Sequence, residues 1–118
     1  GVGVCEQTEQ LLAYQWDFNV GWAPMHYIVY HALKNYGYDI DAKRIAGKYL
    51  DLLAKNYVAP MPDSLQKNDE TITREPDKLY EKYNVIDGTI YDGEYPSRAF
   101  LGWTAGVFVD ALRFYQND

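Results

Sequence analysis

Cysteine, long apolar runs and basic charge are all scarce in this sequence. The single Cys5 excludes an internal disulfide framework and a zinc centre built from several cysteines. No apolar run approaches the ~20 residues that a membrane-spanning helix needs. Only 11 Lys and Arg stand against 17 Asp and Glu, for a net charge of −6, whereas nucleic-acid binding needs a basic face. We therefore expect neither a membrane span nor a nucleic-acid partner.

The features of a signal peptide are missing as well. The first residues, GVGVCEQTEQ, contain neither a basic region nor an apolar core, and the chain does not begin with Met. We therefore expect this sequence to be a processed or excised piece of a longer protein. Its 118 residues suffice for one modest domain with a single core. The composition does not identify a cellular compartment.

Aromatic residues, by contrast, are abundant. The chain has 12 Tyr, 3 Trp and 4 Phe, and two of the tryptophans fall in the short stretch YQWDFNVGWAP at residues 14–24. Aromatic rings suit the apolar faces of sugar rings, and the tyrosine hydroxyl adds a polar group. The alternative interpretation is a tyrosine-rich core, and composition alone favours that alternative.

Three segments have the apolar spacing of helices. The first covers about residues 24–36, with Pro24 at its start and Gly37 as its stop. It carries histidines and tyrosines opposite its apolar stripe, so we expect an inner helix that is covered on both sides. The second, about 41–57, has a charged face and is predicted to be an outer helix, forming an αα-hairpin with the first. The third covers about residues 102–116.

The remaining segments give no strong strand signal. Residues 58–77 combine prolines with many polar side chains, which predicts a surface loop of low order. Residues 6–14 could form one or two further helical turns. The sequence therefore predicts an all-α fold with long irregular stretches at one end of the helices.

Carboxylates in the irregular segments are candidates for chemistry, because loops on a rigid scaffold commonly position functional groups. These carboxylates are Asp17, Glu81, Asp87, Asp92 and Glu94. Glycosidases use two carboxylates, and aromatic walls suit their sugars. Glu81 lies between tyrosines in LYEKYN, and Glu94 precedes a tyrosine in GEYP. The alternative is that these acids are solvated loop residues or helix caps.

Metal and thiol chemistry are not expected. His26 and His31 are five residues apart, not the four that would place two ligands on one helical face, and no third ligand is evident. Cys5 lacks the local sequence of a cysteine nucleophile. We therefore expect no metal and no cofactor, and we interpret these three residues as structural.

Three motifs resemble those of one enzyme family. QWDFNVGWAPMHYIV at residues 15–29 is similar to the Gln-Trp-Asp segment that precedes Gly-Trp-Ala-Pro and a hydrophobic helix in trehalases. EKYN at 81–84 resembles their Glu-Lys-Tyr-Asp/Asn segment. GEYPSRAFLGWTAGV at 93–107 resembles their Glu-Tyr stretch and the helix that follows it. In this order, the motifs make the chain resemble the trehalase family of glycoside hydrolases.

This resemblance implies a fold and an activity. The fold is an (α/α) barrel of six hairpins, of which residues 1–118 would be the C-terminal segment, with long irregular loops at the active-site end. The activity is the inverting hydrolysis of α,α-trehalose to glucose, without a metal or an organic cofactor. Asn19, Val20 and Ala105 depart from the family's pattern. A related barrel α-glucosidase acting on glucosyl oligosaccharides, or a noncatalytic carbohydrate-binding module, is therefore an alternative.

The resemblance also implies roles for individual residues. Glu81 would be the general base, Glu94 would contact sugar hydroxyls, and Trp16 would form a wall of the pocket. Gln15 and Asp17 are candidates for hydrogen bonds to sugar hydroxyls or to neighbouring loops. The sequence therefore predicts one catalytic carboxylate and four substrate-binding residues.

The general acid of the family is an aspartate in a more N-terminal motif. Nothing in residues 1–13 matches that motif, and an inverting site needs both an acid and a base. We therefore expect the N-terminal part of the same enzyme, or a companion chain, to complete the site. That partner is expected to cover Tyr27 and Tyr30.

Overall fold

Three helices and a small sheet form the scaffold. The computed structural model describes residues 1–7, 14–62, 74–100 and 102–117. The helices are α1 (Ala23–Asn35), α2 (Asp39–Val58) and α3 (Trp103–Gln116), and the strands are β1 (Val20–Trp22) and β2 (Lys82–Asn84). The three predicted helices are confirmed to within about two residues at each end. None of the helices in these ranges is long and apolar enough to cross a bilayer.

The sheet corrects the all-α expectation. Strands β1 and β2 pair antiparallel, with Val20 opposite Asn84, Gly21 opposite Tyr83 and Trp22 opposite Lys82. All six residues are buried. Because each strand is only three residues long and buried on both faces, it lacks the apolar–polar alternation by which a strand is recognised in sequence. The sheet joins the segment before α1 to the EKYN segment.

Helices α1 and α2 form the predicted hairpin. Helix α1 has Pro24 in its first turn, where the missing proline N–H leaves no bond unmade. It ends at Asn35, and Gly37 follows with φ +83°, the left-handed conformation that glycine adopts without strain. The backbone N–H of Tyr38 donates to Leu33 O at 2.8 Å. Three residues therefore suffice to turn the chain into α2.

Tyrosines occupy much of the core, which supports the second interpretation of their abundance. Helices α1, α2 and α3 contact one another, and the segment around β2 packs against them. The buried side chains of this cluster include Tyr30, Tyr49, Leu53, Tyr80, Tyr83, Ile90, Val107 and Ala111. Tyr30, Tyr49, Tyr83 and Tyr91 are each at most 1 % exposed.

The burial of α1 differs from the prediction. Its buried residues are Ala23, His26 and Tyr30, whereas Tyr27 is 42 % and Ile28 57 % exposed. Within the described ranges, then, α1 is covered on one side only, and cover of its other side by a completing part stays a prediction. The expectation that a partner covers Tyr30 is wrong, because this chain already buries it completely.

Hydrogen bonding explains why Tyr30 is buried while apolar neighbours are not. The Tyr30 hydroxyl donates to Asp110 Oδ2 of α3 at 2.6 Å, and His31 Nε2 lies 2.7 Å from the same oxygen. The Tyr30 ring also packs on Phe114 at 4.9 Å between centroids. A satisfied hydroxyl and a ring packed at a tilt against Phe114 make this face of α1 the better partner for α3.

The predicted loop at 58–77 is described at its two ends only. Val58 and Met61 are 75 % and 58 % exposed, in agreement with a surface position, while residues 63–73 lie outside the described ranges. The Arg74 side chain is an exception, with 8 % exposure. Most of the predicted helical turns at 6–14 also fall outside the described residues.

Candidate active site

The sheet and one turn bring together the three segments that carry the predicted site residues. Gln15, Trp16 and Asp17 precede β1, Glu81 precedes β2, and Glu94 lies in the turn of residues 92–97. The hydroxyl of Ser97 in this turn accepts from Lys82 N and donates to Lys82 O, both at 3.1 Å. The turn is therefore attached to the edge of β2.

Gln15 and Glu94 are in direct contact. Glu94 Oε2 accepts a hydrogen bond from the backbone N–H of Gln15 at 2.9 Å, although the two residues are 79 positions apart in sequence. Gln15 O in turn accepts from the indole N–H of Trp22 at 2.8 Å. The Glu94 side chain is exposed beyond this contact. The carboxylate of Glu94 is therefore held by this hydrogen bond at an exposed position of the turn.

Glu81 lies at the edge of the same cluster. Its side chain is 24 % exposed, and Oε2 is 3.8 Å from Lys82 Nζ. Oε1 accepts from the hydroxyl of Tyr95 at 3.4 Å. Burial, the charge and hydrogen bond of Glu81, and the charge of Glu94 raise the pKa of Tyr95. The tyrosine thus stays protonated and donates to Glu81.

Lys82 is a buried cation that the sequence prediction missed. It is 0 % exposed, and its Nζ donates to Tyr95 O at 3.1 Å. The ammonium also lies 3.4 Å from the Tyr95 ring centroid and 6.0 Å from that of Trp22, within range of cation–π attraction. Burial lowers the pKa of Lys82 to about 8, although Glu81 and Glu94 act to raise it. Its place beside Glu81 in EKYN was the available signal.

Tryptophans form a wall next to these charges. Trp16 stacks on Trp22 with a centroid distance of 4.4 Å and an interplanar angle of 18°. Trp103 meets Trp22 edge-on at 5.8 Å. Trp22 is 2 % exposed, whereas Trp16 is 45 % and Trp103 42 % exposed. Two indole faces supported by a buried third are thus open to a ligand. Trp103 was predicted only as a helix-stripe residue.

Asp17 is buried in the turn before β1. It is 7 % exposed, Oδ1 accepts from the backbone N–H of Phe18 at 2.8 Å, and its backbone carbonyl accepts from Val20 N at 3.1 Å. These contacts agree with the alternative in which Asp17 bonds to neighbouring backbone. Its role toward a sugar stays a prediction.

The two other loop carboxylates have structural partners. Asp92 is 0 % exposed and forms an ion pair with Arg74, and its Oδ1 accepts from Ser97 N at 2.8 Å. Asp87 Oδ1 accepts from the backbone N–H and the hydroxyl of Thr89 at 3.0 and 2.6 Å. Asp92 therefore holds the 92–97 turn, and Asp87 closes a surface turn.

The two histidines have separate partners. His26 Nε2 accepts from Val2 N at 3.0 Å, so Nδ1 carries the proton that reaches Trp22 O at 2.9 Å. Burial lowers the pKa of His26 to about 4, and this ring is neutral near pH 7. His31 pairs with Asp110 at 2.7 Å. In the part of the chain that the structure describes, no three His, Cys, Asp or Glu side chains are grouped to hold a metal ion.

Exposed indole faces beside two carboxylates are typical of a carbohydrate-active site. The family model for trehalases matches residues 2–116 of the chain. The match covers nearly the whole sequence, so the chain belongs to the trehalase family. Membership makes it a glycoside hydrolase sequence whose substrate class is sugars.

Proposed function

We propose that this chain supplies the general base and part of the sugar pocket of an inverting glycosidase that hydrolyses α,α-trehalose to glucose. The observation that carries the proposal is the trehalase family match over residues 2–116. The grouping of Glu81, Glu94 and Trp16 around β1 and β2 supports it. No metal or organic cofactor takes part in the proposed reaction.

Glu81 is the proposed base. In an inverting reaction, the base removes a proton from water as the water oxygen attacks the anomeric carbon, and an acid on the opposite side protonates the leaving oxygen. Glu81 is partly exposed, so water can reach it, and the hydrogen bond from Tyr95 orients one of its oxygens. Cleavage of the α-bond then releases one glucose as the β-anomer.

Glu94 and Trp16 are the proposed binding residues. The exposed carboxylate of Glu94 can accept hydrogen bonds from sugar hydroxyls, and the exposed indole of Trp16 can cover an apolar sugar face. Gln15 takes part through its backbone, because its N–H holds Glu94 at 2.9 Å. Asp17 stabilises the same segment through its hydrogen bonds to the backbone N–H groups of Phe18 and Val20.

The general acid is proposed to come from the N-terminal part of the enzyme or from a companion chain, which would also complete the (α/α) barrel. Asp92 is engaged with Arg74, and Asp17 is buried in its turn. The exposed side of α1, with Tyr27 and Ile28, and the open indole of Trp103 are suitable surfaces for the completing part. A bound sugar would then lie between this chain on one side and the completing part on the other.

Two of the departures from the family's pattern, Asn19 and Val20, leave the proposed preference for trehalose unchanged. Asn19 and Val20 are 8 % and 0 % exposed, and Asn19 O accepts from Val85 N at 2.8 Å. Because both residues face the interior, they change the packing of β1 and leave the indole and carboxylate surfaces intact. They therefore give no reason for a different sugar preference.

The test uses the assembled enzyme, which is this chain together with the part that supplies the acid. Glu81→Gln should lower kcat on trehalose by about 10²–10⁴-fold, the usual contribution of a positioned base. Asp87→Asn is the matched control, since Asp87 is a loop acid whose side chain accepts hydrogen bonds from Thr89 on a surface turn, and it should leave kcat unchanged.

Each alternative has its own outcome. Near-normal turnover by Glu81→Gln would make the base assignment wrong. Higher kcat/KM on an α-linked glucosyl disaccharide than on trehalose would favour the related α-glucosidase. Sugar binding without turnover in the assembled protein would favour a noncatalytic module. An NMR time course that shows only α-glucose as the first product would exclude inversion.

A further inference from the structure

We infer that Lys82 is a positioning residue for Glu81, and that its positive charge is required to hold the base and the 92–97 turn in their working arrangement. This inference rests on the proposed function of Glu81. It concerns a residue for which neither the motif comparison nor the family match provides a role.

The burial of Lys82 needs a cause. Lysine is almost never fully buried unless its charge is paired, and an apolar side chain of similar length would fill the same space without that requirement. Lys82 is 0 % exposed, yet its ammonium meets a carbonyl, an aromatic face and a carboxylate. All three belong to two residues, Tyr95 and Glu81. The cation therefore serves this one group of atoms.

The attachment of Lys82 makes its ammonium a fixed point. Its backbone pairs with Trp22 in the sheet and forms two hydrogen bonds with Ser97. From this anchored backbone, Nζ reaches Tyr95 O, while the hydroxyl of Tyr95 reaches Glu81. Lys82, Tyr95 and Glu81 thus close a triangle in which each member constrains the other two.

The charges around the Lys82 side chain determine the pH range in which its ammonium is protonated. Glu81 and Glu94 favour the protonated form, whereas burial and Arg74 disfavour it. Arg74 is itself paired with Asp92, and Tyr95 stays neutral. The net result is a Lys82 pKa of about 8. The charge is therefore largely present at pH 7 and is lost over a range that an activity assay can reach.

The test compares pH profiles of kcat/KM for the assembled enzyme with α-glucosyl fluoride as substrate. Fluoride departs without a proton from the general acid, so the alkaline limb no longer reports that acid. The wild-type enzyme should lose activity around pH 8. Lys82→Arg keeps the charge at all these pH values, and its alkaline limb should move upward or disappear.

Lys82→Met removes the charge and keeps the length. We expect kcat/KM to fall about 10- to 100-fold, the effect of a small misplacement of a catalytic group. The alkaline limb near pH 8 should also disappear, because no side chain at this position then loses a proton there. Lys55→Met is the control, since Lys55 is exposed and bonds Asp87 O, and its profile should match the wild type.

The outcomes separate this inference from the proposed function. Absence of turnover on both trehalose and the fluoride in the wild-type enzyme would contradict the proposed function itself. A wild-type pH profile for Lys82→Met, in an enzyme that Glu81→Gln inactivates, would overturn the role of Lys82 alone. If Lys82→Met does not fold, as judged by circular dichroism, a flat wild-type profile from pH 7 to about 9.5 would overturn it equally.

Discussion

The buried ion pair of Arg74 and Asp92 offers the sharpest test of how the site is supported. Their side chains are 8 % and 0 % exposed. Arg74 Nη1 donates to Ser97 O at 2.7 Å, and Asp92 Oδ1 accepts from Ser97 N at 2.8 Å. The pair therefore binds the backbone N–H and the carbonyl oxygen of Ser97, the residue that attaches the 92–97 turn to β2. We predict that removing either partner destabilises the protein strongly.

The magnitude follows from burial. Arg74→Met leaves the Asp92 carboxylate buried without its cation, and Asp92→Asn leaves the guanidinium buried without its anion. Each should lower the free energy of unfolding by about 3–5 kcal/mol. The double variant Arg74→Met/Asp92→Leu removes both charges and loses the bonds to Ser97 and the contact of the guanidinium with the Tyr80 ring, for about 1–3 kcal/mol. The double variant should thus be more stable than either single one.

The assay is urea denaturation of the assembled enzyme, followed by circular dichroism. The matched control is the pair Arg44–Asp41, at 3.0 Å, whose side chains are 53 % and 50 % exposed. Arg44→Met should cost less than about 1 kcal/mol, as surface pairs do. If Arg74→Met and Asp92→Asn cost no more than this control, or if the double variant is less stable than both single variants, the pair does not support the turn.

Three further predictions concern single residues. Trp16→Ala should raise the KM for trehalose by up to about tenfold with little loss of stability, because it removes one open indole face; an unchanged KM in steady-state kinetics would contradict the wall role. Tyr30→Phe should lower the free energy of unfolding, measured by urea denaturation, by about 1–2 kcal/mol, because the hydrogen bond to Asp110 is lost. Tyr36→Phe, at an 83 % exposed site, is the control and should have no effect. The pKa of Lys82, about 8 in the folded protein, lies below its unfolded value of about 10.4. The unfolded chain then binds more protons between these values, so the unfolding free energy of the wild type should rise from pH 8 to 10 relative to Lys82→Met; a constant difference in urea titrations would contradict it.

The helices could be predicted because local rules determine them. Apolar spacing of 3.6, a proline in the first turn and a glycine just past the end are visible without tertiary information. The bounds of α1 and α3 accordingly agree with the expectation. Helix α2 begins at Asp39, two residues before the predicted start, because two acidic residues in its first turn suit the positive end of the helix dipole.

Burial within α1 could not be predicted from the same rules. Hydropathy places Ile28 inside and the polar His26 outside, but the structure has the reverse. His26 is bonded at both ring nitrogens and stacks on Tyr49 at 4.4 Å, so its burial carries no unsatisfied group. Such compensation depends on hydrogen-bond and stacking partners from distant segments, and the apolar spacing within one helix carries no information about them.

The candidate site was predictable as a set of residues but not as an arrangement. Motifs pointed to Glu81, Glu94 and Trp16, yet the contacts that join them span most of the chain, as with the 79 positions between Gln15 and Glu94. The supporting cations were missed for the same reason. Arg74 follows a polar loop that resembles a solvated segment, and only the fold reveals that its partner Asp92 lies behind the turn.

The proposed base Glu81 and the proposed binding residue Glu94 differ in how rigidly the fold holds them. Glu81 is one residue before a buried strand and beside a fully buried lysine, so its backbone is held by the sheet. Glu94 is at an exposed position of a turn and bonds Gln15. Other attachments of this turn, through Asp92, Tyr95 and Ser97, lie on either side of Glu94. A rigid base suits a reaction in which water must meet one carbon, because misplacement by about 1 Å can cost a hundredfold in rate. An exposed binding carboxylate, by contrast, can adjust as a sugar enters. The rigidity of the base therefore depends on the sheet, and the ion pair behind the turn acts mainly on how the sugar is held.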